Sequence, residues 1–139
     1  MDEQQLIERT KQFALRVMAV VRALPTTIEG RAIADQLMRS GTSVRANYRA
    51  ACKARSQAEF ISKLGTVEEE AASWLELLIE SGVFSPKRLQ PLLNEALELV
   101  AIFAASRKTA TRNAQSQIAN RKLQIKRRAH THRSRHKKR

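Results

Sequence analysis

The side chains that most often carry catalysis are few in this chain and poorly placed for it. No histidine precedes His130, so most of the chain lacks the group commonly used as a general base near neutral pH. His130, His132 and His136 stand among cations that would repel a metal ion. We therefore predict no catalytic residue, no metal site, no cofactor and no small-molecule substrate.

The single cysteine, Cys52, has no histidine near it in sequence to activate it as a nucleophile. It can form no disulfide within the chain, which is typical of a reducing compartment. We interpret Cys52 as a small, buried or half-buried hydrophobic residue. The chain opens on acidic residues and has no long apolar run, so we expect no signal peptide, no membrane association and a cytoplasmic location.

The formal net charge of +13 comes entirely from the end of the chain. Residues 1–106 carry 13 basic and 13 acidic side chains, whereas residues 107–139 carry 13 basic side chains and no acidic one. This change in composition predicts a globular unit over 1–106 and a basic extension over 107–139. A run of cations without an anion is typical of a segment that binds nucleic-acid phosphates.

The basic extension has too few apolar residues for a packed core, so we expect it to be largely disordered when free. Ala110, Ala114 and Ile118, at spacings of four, could still prolong a preceding helix. The extension has no Phe, Tyr or Trp side chain to stack on bases, so we expect contacts to phosphates with little sequence preference. The predicted nucleic-acid-binding residues are its cations and three from the globular unit: Arg107, Lys108, Arg112, Arg121, Lys122, Lys126, Arg127, Arg128, Arg133, Arg135, Lys137, Lys138, Arg139, Arg45, Arg49 and Lys53.

Four segments with helical periodicity make up the globular unit. Apolar residues spaced three, four and seven apart predict a first helix from about Leu6 to Leu24, ended by Pro25. A second helix should start near Thr26, whose hydroxyl can cap it. Gly41 could interrupt this helix, because glycine costs about 1 kcal/mol relative to alanine in a helix interior.

The third predicted helix begins at the capping residue Ser56, follows a heptad pattern of apolar residues and stops at Gly82. The fourth begins at Pro86 or, because Pro91 would disrupt its interior, at about Gln90. The connections are short, so neighbouring helices should run antiparallel. The sequence thus predicts an all-α fold, an antiparallel up-down four-helix bundle with a basic C-terminal tail.

The third predicted helix is apolar over a band too wide for one neighbouring helix to cover. We expect part of this band to be an oligomer interface, formed by Trp74, Leu75, Leu78 and Ile79.

Charges of opposite sign follow two of the predicted helices. Arg45, Arg49 and Lys53 recur every four residues on the second, and Glu76 and Glu80 do so on the third. Like charges at this spacing repel, so the two stripes would be stabilised by facing each other. They could pair within one hairpin, which the short connection favours, or between subunits of an oligomer. A third alternative is that the cations form a basic surface of a ring that is open to RNA.

Within Arg9–Thr109, short motifs on the second and third predicted helices form a recognisable set: Gln36-Leu37, Arg39-Ser40, Ser43-Val44, Ala46-Asn47, Ser56 and Glu59-Phe60. These motifs resemble those of the bacterial 23S rRNA intervening-sequence proteins, and the accessory proteins of diversity-generating retroelements are similar to the same family. The resemblance implies a helical bundle that assembles as a homopentamer ring. It implies no catalytic residues, and the retroelement relatives suggest a reverse transcriptase as a partner.

Two classes of function fit these observations. The first is a non-enzymatic, oligomeric accessory protein that binds nucleic acid, with RNA favoured over DNA, mainly through the basic extension. The second is a protein interaction scaffold that docks on a reverse transcriptase or ribonucleoprotein without reading nucleic acid itself. We favour the first, because the basic extension has 13 cations and no acidic residue, and the resulting positive potential attracts phosphates.

Overall fold

The computed structural model describes residues 1–137. Its helices are α1 (Glu3–Ala23), α2 (Ile28–Cys52), α3 (Gln57–Leu64), α4 (Val67–Glu80) and α5 (Pro86–Lys137). The helices α3 and α4 lie one after the other, and both pack against α2 and α5. Together they occupy one of the four positions of the bundle, each of which we call a rod. The predicted all-α, antiparallel four-helix bundle is confirmed.

Apolar side chains from every rod fill the centre of the bundle. Phe13, Leu37, Leu75 and Leu99 are fully buried there. The ring of Phe103 stacks on the ring of Tyr48, with centroids 5.4 Å apart. Such a pair adds about 0.5–1.5 kcal/mol to the stabilisation that comes from burial.

Helix α2 runs without interruption through Gly41, so the break that this glycine permits does not occur. The absent side chain serves packing instead. A Cβ atom at this position would lie 2.6 Å from Cγ1 of Val17, which is fully buried on α1. The glycine therefore allows α1 to approach the backbone of α2 closely.

The third rod is interrupted, so the prediction of a single helix from Ser56 to Gly82 is wrong. Gly65 caps α3 with φ 64° and ψ −161°, a conformation that is essentially restricted to glycine. Its carbonyl turns away from the helix and accepts a hydrogen bond from Nη1 of Arg107 at 2.5 Å. The apolar pattern continues across this joint, since Leu64 and Ala71 are both buried. Periodicity alone therefore did not reveal the break.

Helix α5 begins at Pro86 and holds Pro91 in its second turn, so the later start at Gln90 is not adopted. Ser85 caps it, because its Oγ accepts a hydrogen bond from the backbone N–H of Arg88 at 3.4 Å. Pro91 removes only one helical hydrogen bond, the one to the carbonyl of Lys87, close to the start of the helix.

The expectation of a largely disordered extension is wrong, because α5 continues as a helix through Lys137. No glycine or proline follows Pro91, and the segment is rich in residues of high helix propensity. Lengthening an existing helix requires no new nucleus. Every described side chain beyond Ala114 is exposed, so this part of α5, roughly 35 Å long at about 1.5 Å per residue, extends past the packed core of the bundle. The domain boundary near Ser106 stays a prediction.

Candidate nucleic-acid interface

The C-terminal part of α5 presents cations around its circumference. Between Lys108 and Lys137 it has ten Lys and Arg side chains and three histidines, and no Asp or Glu. Within residues 1–137, no ion pair joins these cations to the bundle. The predicted phosphate-binding residues found here are Lys108, Arg112, Arg121, Lys122, Lys126, Arg127, Arg128, Arg133, Arg135 and Lys137. Lys138 and Arg139 were also predicted and lie outside the described residues.

The histidines of α5 lie on its distal part. The rings of His132 and His136 are one helical turn apart, with centroids separated by 4.6 Å. Among residues 1–137, no group of three or more His, Cys, Asp and Glu side chains is arranged to hold a metal ion.

Arg107 differs from the other predicted phosphate-binding residues, because its guanidinium lies within the bundle. Its Nη1 donates to Oε1 of Glu68 at 2.7 Å, and Glu68 is only 1% exposed. The same nitrogen donates a second hydrogen bond to the carbonyl of Gly65, and Nη2 lies 3.7 Å from Oε1 of Glu69. A guanidinium held in a buried pair is not free to bind a phosphate. We therefore correct the assignment of Arg107 from nucleic-acid contact to a bond between α5 and the α3–α4 joint.

The cationic stripe of α2 borders a groove between α1 and α2. Arg45 and Arg49 line this groove, which has a volume of about 350 Å³, together with Lys11 and the apolar side chains of Leu15 and Met18. Arg45 is half-buried, and its Nε is buried without a hydrogen-bond partner. Lys53 caps the C-terminus of α2 and is exposed.

The acidic stripe of α4 does not pair with the cationic stripe of α2 within the described chain. The antiparallel packing of α2 and α4 brings Nη2 of Arg39 within 3.6 Å of Oε1 of Glu70. Glu76 and Glu80 therefore lie further towards the α1–α2 connection, away from the cations of Arg45 to Lys53. The expectation that the two stripes pair within one hairpin is wrong, because it took no account of this register.

The predicted oligomer interface on α4 divides into two classes of residue. Leu75 and Leu78 are fully buried in the core of the single chain, so they are unavailable to a second copy and we correct their assignment. The apolar band is wide because α4 packs on both α2 and α5. Trp74 and Ile79 are half-buried. Leu77, which was not among the predicted interface residues, is 43% exposed.

A cleft of about 480 Å³ lies at the end of the bundle from which α5 projects. The start of α1, the end of α2, the start of α3 and α5 meet there. We call it the junction cleft, and its lining residues are Glu3, Tyr48, Ala51, Cys52, Ala54, Arg55, Ser56, Gln57, Phe60, Gln117 and Arg121. This cleft could not be predicted from the sequence, because its residues come from four separate segments.

Two titratable groups of the junction cleft are held neutral by their surroundings. Burial raises the pKa of the Tyr48 phenol, and a hydrogen bond with Cys52 adds to this effect. Burial also raises the pKa of the Cys52 thiol, and this effect outweighs the opposing hydrogen bond with Tyr48. A protonated thiol is a poor nucleophile, which agrees with the interpretation of Cys52 as a packing residue.

Comparison with known proteins places the chain in a family. Residues 2–105 match the profile of the 23S rRNA-intervening sequence proteins. The fold is similar to the crystal structure of a Bacteroides thetaiotaomicron protein of unknown function from the S23 ribosomal protein family. The TM-score is 0.70 and the sequence identity is 29%, over 78% of this chain and 99% of that chain. No curated protein matches the sequence.

Neither the family description nor that of the Bacteroides protein names a catalytic activity. Among residues 1–137, no helix is both long and apolar enough to cross a membrane. The family match covers most of the bundle, and the solved structure repeats its fold. The chain belongs to the 23S rRNA-intervening sequence protein family.

Proposed function

We propose that this protein is a non-enzymatic accessory factor that binds nucleic acid, above all RNA, through contacts to phosphates. The observation that carries the proposal is the exposed length of α5 after Ala114, which has cations on all sides and no acidic residue. Phosphate contacts supply most of the sequence-independent affinity for nucleic acid, because they release condensed counterions. The family description, which refers to 23S rRNA, supports RNA as the ligand.

The cationic surface extends from α5 onto the body of the protein. Arg45, Arg49 and Lys53 follow one face of α2 towards the end of the bundle from which α5 projects. Arg55 follows in the connection to α3. A strand bound along α5 thus meets further cations where it reaches the bundle, and these help to orient it.

The proposal predicts that neutralising three cations of α5 weakens RNA binding far more than neutralising three cations elsewhere. The test variant changes Lys126, Arg127 and Arg128 to glutamine, which keeps helix propensity high. With about six phosphate contacts to single-stranded RNA, the logarithm of the wild-type binding constant should fall against that of salt with a slope of roughly −4. The variant should flatten this slope by about 2 and lower affinity roughly 10- to 100-fold near physiological salt.

The matched control changes Arg16, Arg22 and Lys87, all exposed on the body, to glutamine. It has the same net charge as the test variant, so it separates the position of the charge from its amount. Filter binding or fluorescence anisotropy across a salt series measures both variants. Equal affinity and equal slopes for the two would contradict the proposal and favour the scaffold function, with an acidic protein such as a reverse transcriptase as the ligand of the extension.

We infer as well that copies of the chain associate into a homo-oligomer. Glu69, Glu76 and Glu80 share an exposed face of α4 with Leu77. The groove between α1 and α2 offers the complementary surface, an apolar floor bordered by cations. When two different surfaces of each chain form the contact, the same contact can repeat from one copy to the next until the copies close into a ring. The family resemblance suggests five copies.

Light scattering on the full-length protein tests the association. The wild type should have several times the 15.7 kDa mass of one chain at micromolar concentration. Leu77→Lys should lower this mass, because it places a cation against the cations of the groove. The control Leu97→Lys changes a leucine that is 50% exposed on α5 and should leave the mass unchanged. A wild-type mass of one chain would refute the inference.

A further inference from the structure

The junction cleft has an aromatic side chain, Phe60, beside the root of the cationic helix. Phe60 is half-buried and packs partly against the core, whereas Tyr48, the other aromatic residue of the cleft, is buried. Phe60 also lines a neighbouring groove along α5, next to Thr109 and Asn113. Its ring therefore lies between two openings, both beside the part of α5 that leads into the extension. The extension itself has no Phe, Tyr or Trp side chain.

The polar side chains of the junction cleft suit the edge of a base and the phosphates beside it. Arg55 and Arg121 come from different elements and are exposed, and neither is in an ion pair within residues 1–137. The amides of Gln57 and Gln117 supply donors and acceptors, and the carboxylate of Glu3 supplies a further acceptor. The volume of about 480 Å³ falls in the usual range of small-ligand sites, about 300–1,000 Å³.

We propose that the junction cleft accommodates one unstacked base of a single-stranded nucleic acid whose backbone lies along α5. The base packs on Phe60, and the flanking phosphates contact Arg55 and Arg121. Proteins that bind single strands combine aromatic faces with cations in this way. The inference rests on the proposed function, which supplies the strand, and adds a preference for unpaired over paired nucleic acid.

The preference follows from the accessibility of bases in the two forms. In a duplex the bases are stacked and paired, so its phosphates can still contact α5 while no base reaches Phe60. In a single strand a base can leave the stack at little cost. The cations of α5 thus set overall affinity, whereas the junction cleft sets the ratio of affinities for single strand and duplex.

Phe60→Leu tests the inference, since leucine retains apolar packing and lacks the π face. The probes are an oligouridylate, the same strand with abasic sites, and its duplex with oligoadenylate. Phe60→Leu should lower affinity for the oligouridylate roughly 5- to 100-fold, the effect of losing one base–aromatic stack. Binding of the abasic strand and of the duplex should not change. The control Phe84→Leu changes a buried ring in the connection between α4 and α5 and should preserve all three affinities.

Cys52 gives a second readout, because the single cysteine of the chain lines the junction cleft. In the wild type, bound oligouridylate should slow alkylation of Cys52 by iodoacetamide at alkaline pH, and the abasic strand should not. Thermal unfolding checks that each variant remains folded.

The outcomes separate the inference from the proposed function. If Phe60→Leu leaves all three affinities unchanged and oligouridylate does not protect Cys52, the cleft takes no base. In that case, phosphate binding by α5 would still be supported if neutralising Lys126, Arg127 and Arg128 flattens the salt dependence of RNA binding. If neutralising those three cations has no effect, the proposed function itself fails.

Discussion

Arg107→Met should lower the free energy of unfolding by about 3–5 kcal/mol, because it leaves the carboxylate of Glu68 buried without a countercharge. Glu68 is 1% exposed, and its Oε2 already lacks a hydrogen-bond partner in the described chain. The substitution also deprives the carbonyl of Gly65 of its donor. Urea unfolding followed by circular dichroism measures the loss.

Two further variants show whether the buried charge is the cause. In the double variant Glu68→Met, Arg107→Met, both charges are replaced by apolar side chains, and most of the stability should return. Arg112→Met removes an exposed cation from the same helix and should change stability by no more than about 0.5 kcal/mol. A double variant as unstable as Arg107→Met alone would show that the desolvated carboxylate does not account for the loss.

Gly41→Ala should lower the free energy of unfolding by about 1–2 kcal/mol, although alanine favours a helix by about 1 kcal/mol over glycine. The new Cβ would lie 2.6 Å from Cγ1 and 2.9 Å from Cγ2 of Val17. A β-branched side chain on a helix has one preferred rotamer, so Val17 cannot turn away. The contact between α1 and α2 must open instead.

The background Val17→Ala should remove most of this effect. Once the two methyl groups are removed, the nearest atom to the new Cβ is the Cβ of residue 17 at 3.0 Å, so Gly41→Ala should cost much less stability than it does in the wild type. Urea unfolding of the four proteins in this double-mutant cycle gives the interaction energy between the two positions. If Gly41→Ala stabilises both backgrounds equally, close packing is not the reason for this glycine.

The sequence by itself determined the rods of the bundle and the charge of its extension. Apolar spacing and helix-stop residues such as Pro25 and Gly82 are local signals, so they predicted the long helices and the antiparallel order without any tertiary information. The separation of a neutral body from a cationic extension is likewise a property of composition. Composition also led to a wrong expectation of disorder. The small number of core-forming residues in the extension favours disorder, but it does not show that a preceding helix can be lengthened into the segment without a new nucleus.

Only the tertiary structure decided which of these residues are free to act. In the sequence, Arg107 cannot be distinguished from the other cations of the extension. In the structure its guanidinium is hydrogen-bonded to the buried carboxylate of Glu68, so it is not available to bind nucleic acid. Leu75 belongs to the same apolar band as Trp74 and is wholly buried, because α4 packs against two rods at once. The junction cleft joins side chains from four segments. Such contacts depend on how the rods approach one another, and a pattern along one helix carries no information about the surface that will cover it.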